Sequence, residues 1–280
     1  MSEAQRNECR LQRPVSRRPR VVCQFSCGAA SAVATKLAIA QYGADHEIVV
    51  LNAFIASEHP DNRRFAKDCE KWLGVPLTVV MNQEFEGSID NVFERARYMN
   101  GPKGAACTTR LKREPLAAFA RPGDINVFGF TVEEVDRLMD RRMAVPDMQV
   151  VSPLVEAGLT KSDCKAMIER AGIELPTIYK LGYHNANCPG CVKGGEAYWR
   201  AIDEDFPEIY ERRMKQQEAI GPGSYLFRDR KTGRRFGLRE LRNKPGPVQR
   251  AGLPSCSFFC EAAERTFADA VANDGGKRHD

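Results

Sequence analysis

Residues 20–31 read Arg-Val-Val-Cys-Gln-Phe-Ser-Cys-Gly-Ala-Ala-Ser, and this stretch decides the fold. Its first half, residues 20–25, has the β-branched and aromatic composition of a short buried strand. Its second half is a turn of very small residues, and the segment from Ala32 to Tyr42 that follows has a helical pattern. A strand, a tight turn and a helix in this order predict the first unit of an α/β domain.

The same alternation continues along the chain. Short apolar segments at 48–51, 77–81, 125–128 and 149–151 predict four more strands. Helical patterns lie between them, over residues 61–73, 88–98, 109–120 and 132–142. Alternating strands and helices predict an α/β fold with a Rossmann-like, mostly parallel sheet flanked by helices. Ligands of such sheets bind at the carboxyl ends of the strands, so the loops after Phe25, Leu51 and Phe128 are expected to share one rim.

The pattern changes after Thr160. A helix is predicted over 161–171, two cysteines follow in a loop, and more helix is predicted over about 195–219. Residues 225–238 have the pattern of a hairpin that turns at 231–233. We therefore predict four parts: a disordered basic arm (1–19), a nucleotide-binding domain (20–158), an α-helical extension that carries a cysteine metal site (159–264), and a tail (265–280).

The small-residue turn has the composition of an anion site. Small side chains let backbone N–H groups approach phosphate oxygens, and the start of the following helix favours negative charge. A tight strand-to-helix turn without a ligand would have the same composition. The residues assigned to a nucleotide here are Ser26, Cys27, Gly28, Ala29, Ala30 and Ser31.

The ten cysteines point to a metal site rather than to disulfides. The sequence carries no apolar segment typical of a secretory signal, so a reducing, cytoplasmic compartment is expected. Cys188 and Cys191 form a C-x-x-C pair, a spacing that suits either one metal or a redox dithiol. Cys256 and Cys260 supply a second pair, and Cys107 stands alone. Cysteine spacing does not separate a zinc site from an iron–sulfur cluster.

Three stretches resemble the PAPS and APS reductases, the sulfonucleotide reductases of the PP-loop superfamily. Residues 25–33 resemble their phosphate loop, although Ala30 stands where the ATP-cleaving members have aspartate. Residues 107–116 resemble a Cys-Cys-x-x-Arg-Lys-x-x-Pro-Leu motif, with Cys107 at the first cysteine and Thr108 at the second. Residues 175–191 resemble the motif that runs from Pro-Leu-Tyr to Cys-x-x-Cys.

The resemblance implies a [4Fe-4S] cluster. Cys107, Cys188 and Cys191 match three of its four ligands, and Cys256 or Cys260 is predicted to complete the set, unless one iron stays open. Zinc is the alternative metal. Cys256 has a rival role as the catalytic nucleophile, through a loose match to the family's terminal cysteine motif.

Other residues of the rim are candidates for the nucleotide or for catalysis. His59 follows the second strand and is a candidate for acid/base catalysis. A histidine that is simply exposed to solvent in this loop would give the same sequence pattern. Arg137 is expected to grip phosphate, because guanidinium pairs with phosphate in a bidentate way. Asn52, Lys112 and Gly129 complete the predicted nucleotide site.

These observations support three hypotheses of function. The first is a PAPS reductase-like enzyme of nucleotide-activated sulfur chemistry, which would use PAPS, APS or ATP and a thiol or electron-donor protein. The second is an ATP-dependent enzyme of nucleic-acid thiolation or phosphorothioation. The third is a nucleotide- or redox-sensing binding protein without catalysis. The net charge of +5 tolerates an anionic substrate, nucleic acid is only weakly indicated, and no segment is long and apolar enough for a membrane.

Overall fold

The computed structural model describes residues 18–101 and 104–251. Its main sheet has five strands: β1 (Arg20–Gln24), β2 (Glu47–Ala53), β3 (Leu77–Val80), β4 (Ile125–Val127) and β5 (Gln149–Val151). The helices between and after them are α1 (Ala29–Tyr42), α2 (Asp61–Leu73), α3 (Ile89–Ala96), a π-helix (Thr108–Arg113), α4 (Glu114–Phe119), α5 (Val135–Ala144), α6 (Pro153–Glu156) and α7 (Lys161–Arg170).

The strand order is β3-β2-β1-β4-β5, and every pair of neighbours is parallel. This confirms the predicted Rossmann-like α/β sheet. The chain leaves β1 toward β2 on one side and later returns to β4 on the other. The crevice between β1 and β4 is therefore the topological switch point, which is where ligands of such sheets bind.

The sheet is covered on both faces. Val21, Cys23 and Phe25 of one face pack into a core with α1, α2 and α7. Val22 and Leu51 of the other face pack against Leu116 of α4. Because successive side chains of a strand point to opposite faces, a strand with consecutive apolar residues, such as Val21, Val22 and Cys23 of β1, must be buried on both sides.

The remaining elements form a second apolar core. They are α8 (Thr177–Lys180), α9 (Glu196–Asp205), α10 (Pro207–Ile220), the hairpin strands β6 (Phe227–Arg228) and β7 (Arg235–Phe236), and α11 (Leu238–Arg242). Trp199 and Tyr210 are fully buried in this core, together with Phe236. The α-helical extension and its hairpin thus form as predicted, while α7 packs with the sheet.

One helix differs from its prediction. In place of a continuous helix over 109–120 the chain forms the π-helix and then α4. Pro115 explains the change, because proline has no N–H to donate and its ring would clash with the carbonyl of Leu111 in an unbroken α-helix. The wider turn, in which the Glu114 N–H bonds to the Thr109 carbonyl, avoids that clash.

No helix among the described residues is both long enough and apolar enough to cross a membrane. The predicted basic arm, the tail, Cys256 and Cys260 lie outside the described residues.

Candidate nucleotide and metal site

A cavity opens at the switch point, between the carboxyl ends of β1, β2 and β4. It contains about 960 Å³ of empty space, including its open mouth. Most of the residues that the sequence assigned to a nucleotide border it: Ser26, Gly28, Ala30, Ser31, Asn52, Lys112, Gly129 and Arg137. Cys27 and Ala29 are buried beneath its wall.

The small-residue turn is held in shape by one hydroxyl. Ser31 Oγ accepts hydrogen bonds from the Ser26 N–H at 3.1 Å and the Gly28 N–H at 3.4 Å, and donates to the Gly28 carbonyl at 2.9 Å. Ser31 therefore organises the turn from within. Helix α1 begins within this stretch, at Ala29, and has no acidic residue in its first turn to offset the positive end of the helix.

Cys27 has a structural position in this turn. Its backbone is in the left-handed region (φ 56°), and Asn52 Nδ2 donates to its Sγ at 3.5 Å and to the Phe25 carbonyl at 2.8 Å. Burial, followed by the nearby Glu58 carboxyl, raises the pKa of the Cys27 thiol far above its ordinary value. The thiol stays protonated, which removes it as a nucleophile. Asn52 in turn ties the end of β2 to the turn after β1.

The cations on one side of the cavity are arranged around Glu134. This carboxylate pairs with Arg137 and with Lys161, whose Nζ lies 3.5 Å from it. The Arg137 guanidinium also lies over the Phe130 ring, 5.4 Å from its centre. Two cations share one acid here, so this side of the cavity has a net positive charge and suits a phosphate.

Glu58 and Lys112 form a buried pair on the other side. Their side chains are 7% and 10% exposed, and Lys112 Nζ lies 3.7 Å from Glu58 Oε1. Asn62 Nδ2 donates to the second carboxylate oxygen at 3.3 Å. Burial raises the pKa of the Glu58 carboxyl, against the opposing effects of Lys112 and Asn62. A buried acid with a raised pKa in a cleft is typical of functional sites.

Glu58 makes the cavity sensitive to pH. Its carboxyl holds a proton in the folded state at pH values where the unfolded chain has already lost it, so stability and anion affinity should both fall as pH rises through the raised pKa. We expect Glu58→Gln to remove that fall and to bind ATP about tenfold more tightly than wild type at the alkaline end of the profile. Isothermal titration at several pH values measures this.

The exposed acid Glu84 offers a control, since Glu84→Gln should leave the pH profile of ATP binding unchanged. The expected result assumes that the ionised Glu58 carboxylate repels the anionic nucleotide. Weaker binding by Glu58→Gln at every pH would contradict this and show instead that the carboxylate accepts a hydrogen bond from the nucleotide.

Tyr179 connects the cavity to the cysteine loop. It borders the cavity, and the N–H groups of Ala29 in the turn and Ala186 in the loop both interact with its hydroxyl. Burial raises the pKa of this hydroxyl to about 12, so it is neutral. Its oxygen lies 3.0 Å from where a Cβ on Gly28 would sit, so a larger residue there would have to displace the Tyr179 hydroxyl slightly. The turn and the loop before Cys188 are thus held against each other.

The cysteines lie on segments that form the cavity wall. Cys107 caps the π-helix that carries Lys112, and residues 185–187, which border the cavity, lead directly into Cys188. Cys107 and Cys188 pack against the same apolar cluster. The Cys191 N–H donates to Tyr198 Oη at 3.0 Å, which fixes the loop.

Three of the cysteines predicted as metal ligands lie within the described residues. Cys107 and Cys188 are half-buried at a shared cluster, Cys191 is buried, and the Lys193 ammonium is buried in the same loop, where its charge favours thiolates. Within residues 18–101 and 104–251, however, no three His, Cys, Asp or Glu side chains are grouped closely enough to hold a metal ion. A complete ligand set therefore needs movement of these cysteines or ligands from beyond residue 251.

Comparison of the chain with protein-family models and with curated proteins finds no match. The likeness to sulfonucleotide reductases therefore rests on the three quoted stretches, and two of these, residues 107–116 and 175–191, form the cavity wall that carries the cysteines.

His59 stands apart from the cavity wall. Its Nδ1 accepts a hydrogen bond from the Asp61 N–H at 3.2 Å, and its ring meets Phe206 edge-on at 6.2 Å. The neighbouring Glu58 is the residue of this loop that borders the cavity. A catalytic role for His59 stays a prediction, while Glu58 is the more direct candidate.

Sequence reasoning missed several residues of the cavity wall: Gln24, Glu58, Glu134, Lys161, Tyr179, Asn185 and Asn187. Tyr179 lies inside residues 175–191, which resemble the family, and Glu58 is the neighbour of His59, the residue of that loop that the sequence singled out. Lys161 had no local signal, because it begins a helix beyond the last strand of the sheet.

Proposed function

We propose that this protein is an adenine-nucleotide-binding enzyme of nucleotide-activated sulfur chemistry, with a cysteine-ligated metal centre beside the nucleotide. One observation carries the proposal. The cavity at the switch point is bordered by the small-residue turn, by the π-helix that follows Cys107 and by the loop that leads into Cys188. A nucleotide held by the turn would extend toward the thiols.

Different residues of the cavity wall would contact different parts of the nucleotide. The turn at residues 26–31 and the start of α1 receive a phosphate, and Arg137 and Lys161 add positive charge on the same side. Leu51 and Leu116 supply apolar wall for the base, as ligand sites usually do. Lys112 stands on the π-helix between the cavity and Cys107, where it would contact the anionic group that lies nearest the thiols.

A [4Fe-4S] cluster is the metal centre that we propose, with zinc as the alternative. Cys107, Cys188 and Cys191 would hold it, together with Cys256 or Cys260 from beyond the described residues. When bound, such a cluster supplies redox chemistry or an iron site for sulfur, tuned by nearby charge and burial. The chain's own contribution is to place the nucleotide against the thiols and to keep Lys112 beside them.

Anaerobic purification followed by iron, sulfide and zinc analysis tests the metal centre. We expect about four irons and four sulfides with a brown chromophore in the wild type, and their loss in Cys188→Ala. Cys164→Ala is the matched control, because Cys164 is buried in α7 within the sheet core. One zinc without sulfide would contradict the cluster.

Turnover assays on the same preparation test the chemistry. Release of sulfite from APS or PAPS would support sulfonucleotide reduction, and conversion of ATP to AMP with a nucleic-acid acceptor would support thiolation instead. Tight nucleotide binding without turnover in either assay would contradict the proposal that the protein is an enzyme. It would support a nucleotide-sensing protein instead.

A further inference from the structure

A short segment of the extension concentrates positive charge. Residues 225–244 contain eight Lys or Arg residues and two acids, a net charge of +6, whereas the whole chain has +5. All other residues together are therefore slightly acidic. A strongly basic segment on such a background is the electrostatic footprint of a polyanion site.

The segment includes the hairpin formed by β6 and β7, which has a defined shape. Asp229 Oδ1 accepts hydrogen bonds from the backbone N–H groups of Lys231 and Thr232 at 3.0 and 2.9 Å, and from the Thr232 hydroxyl at 3.1 Å. These bonds lower the pKa of Asp229, so its carboxylate is ionised. The Asp229 carboxylate therefore holds the shape of the turn. The turn in this shape exposes the neighbouring cations to solvent.

The basic residues differ in how they are neutralised. Arg234 pairs with Glu240, Arg239 with Glu218 and Arg242 with Asp203. Arg228, Arg230 and Lys231 are exposed, and no carboxylate of residues 18–101 or 104–251 makes an ion pair with them. These three residues are named the hairpin cations below.

The hairpin also places like charges opposite each other. Arg228 pairs with Arg235 across the two strands, and Arg235 is turned to the Tyr225 carbonyl, to which it donates at 2.6 Å. Like charges at directly opposite positions destabilise a pair of strands. An anion bound at this face would relieve that repulsion.

The base of the hairpin lies near the cysteines. Leu226, just before β6, packs against the apolar cluster that also borders Cys107 and Cys188. This contact connects the base of the hairpin to the cluster against which Cys107 and Cys188 pack.

We propose that the hairpin cations bind the phosphate backbone of nucleic acid. Phe227 and Phe236 are buried, so the hairpin has no exposed aromatic ring from these strands on which a base could stack. Recognition thus goes through phosphates, which makes binding strongly salt-dependent and tolerant of sequence. This inference goes beyond the nucleotide site, and neither nucleotide nor metal is needed for it to hold.

Fluorescence anisotropy of the full chain with a fluorescein-labelled duplex DNA, and with a labelled transfer RNA, tests the proposal. We expect binding at low salt that the variant Arg228→Ala/Arg230→Ala/Lys231→Ala weakens at least tenfold. The slope of log affinity against log salt should fall by roughly two to three, because three phosphate contacts are lost. Which of the two probes binds more tightly identifies the source of the phosphates.

A second triple variant controls for total charge. Lys67→Ala/Lys71→Ala/Arg170→Ala removes three exposed cations from α2 and α7 and should keep affinity within about twofold of wild type. Equal weakening by the two variants, or no binding by the wild type at low salt, would overturn the proposal. So would tighter binding to phosphatidylserine vesicles than to either nucleic acid, which would assign the cations to a membrane surface. Thermal unfolding of both variants confirms that each is folded.

Discussion

Gly129→Ala is expected to weaken ATP binding by about 100-fold, because the added methyl group has no space at the phosphate-binding turn. A Cβ on residue 129 would lie 2.8 Å from the Ser31 nitrogen and 2.9 Å from both the Ala30 carbonyl carbon and Ser31 Cα. All three are backbone atoms, so no side-chain rotation relieves the overlap. The start of α1 or the loop after β4 must shift, and either movement changes the cavity.

The same overlap should lower the free energy of unfolding by about 1–3 kcal/mol, the usual effect of overpacking. Isothermal titration with ATP and urea denaturation measure the two effects. Gly223→Ala is the matched control, since a Cβ there meets no atom within 4 Å. Unchanged ATP affinity in a folded Gly129→Ala protein would show that the nucleotide does not depend on the fit between this loop and the turn.

Asp124→Asn is expected to destabilise the fold by about 3–5 kcal/mol, because it leaves the buried Arg20 guanidinium without its counter-charge. The two side chains are 6% and 5% exposed, and Arg20 holds Asp124 through two hydrogen bonds of 2.9 and 2.6 Å. The pair joins the first residue of β1 to the turn before β4. Strands β1 and β4 flank the switch point.

The pair also gives stability a pH dependence. Burial raises the pKa of the Asp124 carboxyl, but the hydrogen bonds from Arg20 and from the Arg121 N–H outweigh it, so the pKa lies below its ordinary value. The stabilisation is therefore complete above the unfolded pKa of about 3.9 and is lost as pH falls through the folded value. Asp124→Asn should lack this acid-side loss.

Urea denaturation at neutral pH and at acid pH measures both effects. Glu84→Gln provides the comparison, because its exposed pair with Arg95 should contribute no more than about 1 kcal/mol. The double variant Arg20→Met/Asp124→Leu should be closer to wild type than Asp124→Asn, since no charge is then left buried. Equal, small effects for Asp124→Asn and Glu84→Gln would refute the assignment.

Local patterns were sufficient for most of the fold. The helix over residues 61–73 and the strand over 149–151 form with the predicted bounds, and β1 ends one residue earlier than expected. These elements have strong hydrophobic periodicity or a short apolar run bounded by polar residues. Both signals depend only on residues that are close together in the sequence. The break at Pro115 escaped prediction although its cause is also local, because the apolar period continues through it.

The small-residue turn that borders the cavity was likewise predictable from the sequence. The turn at residues 26–31 is contiguous, so its small side chains, its strand and its helix are all visible together in the sequence. Gly129 was assigned through its place after a strand, and the structure supplies the reason for glycine there, a close approach to the backbone of Ala30 and Ser31.

Local sequence patterns are enough to give the order of strands and helices, and with it the rim on which Ser26, Asn52 and Gly129 meet. They do not give which side chains of the longer loops face the cavity, because that depends on tertiary contacts. Glu58 borders it and the adjacent His59 does not, because Lys112, Asn62 and the loop at Ala186 pack around Glu58 from distant parts of the chain. Local propensity sets the conformation of a segment, but the direction of a loop side chain depends on contacts between segments that are far apart in sequence.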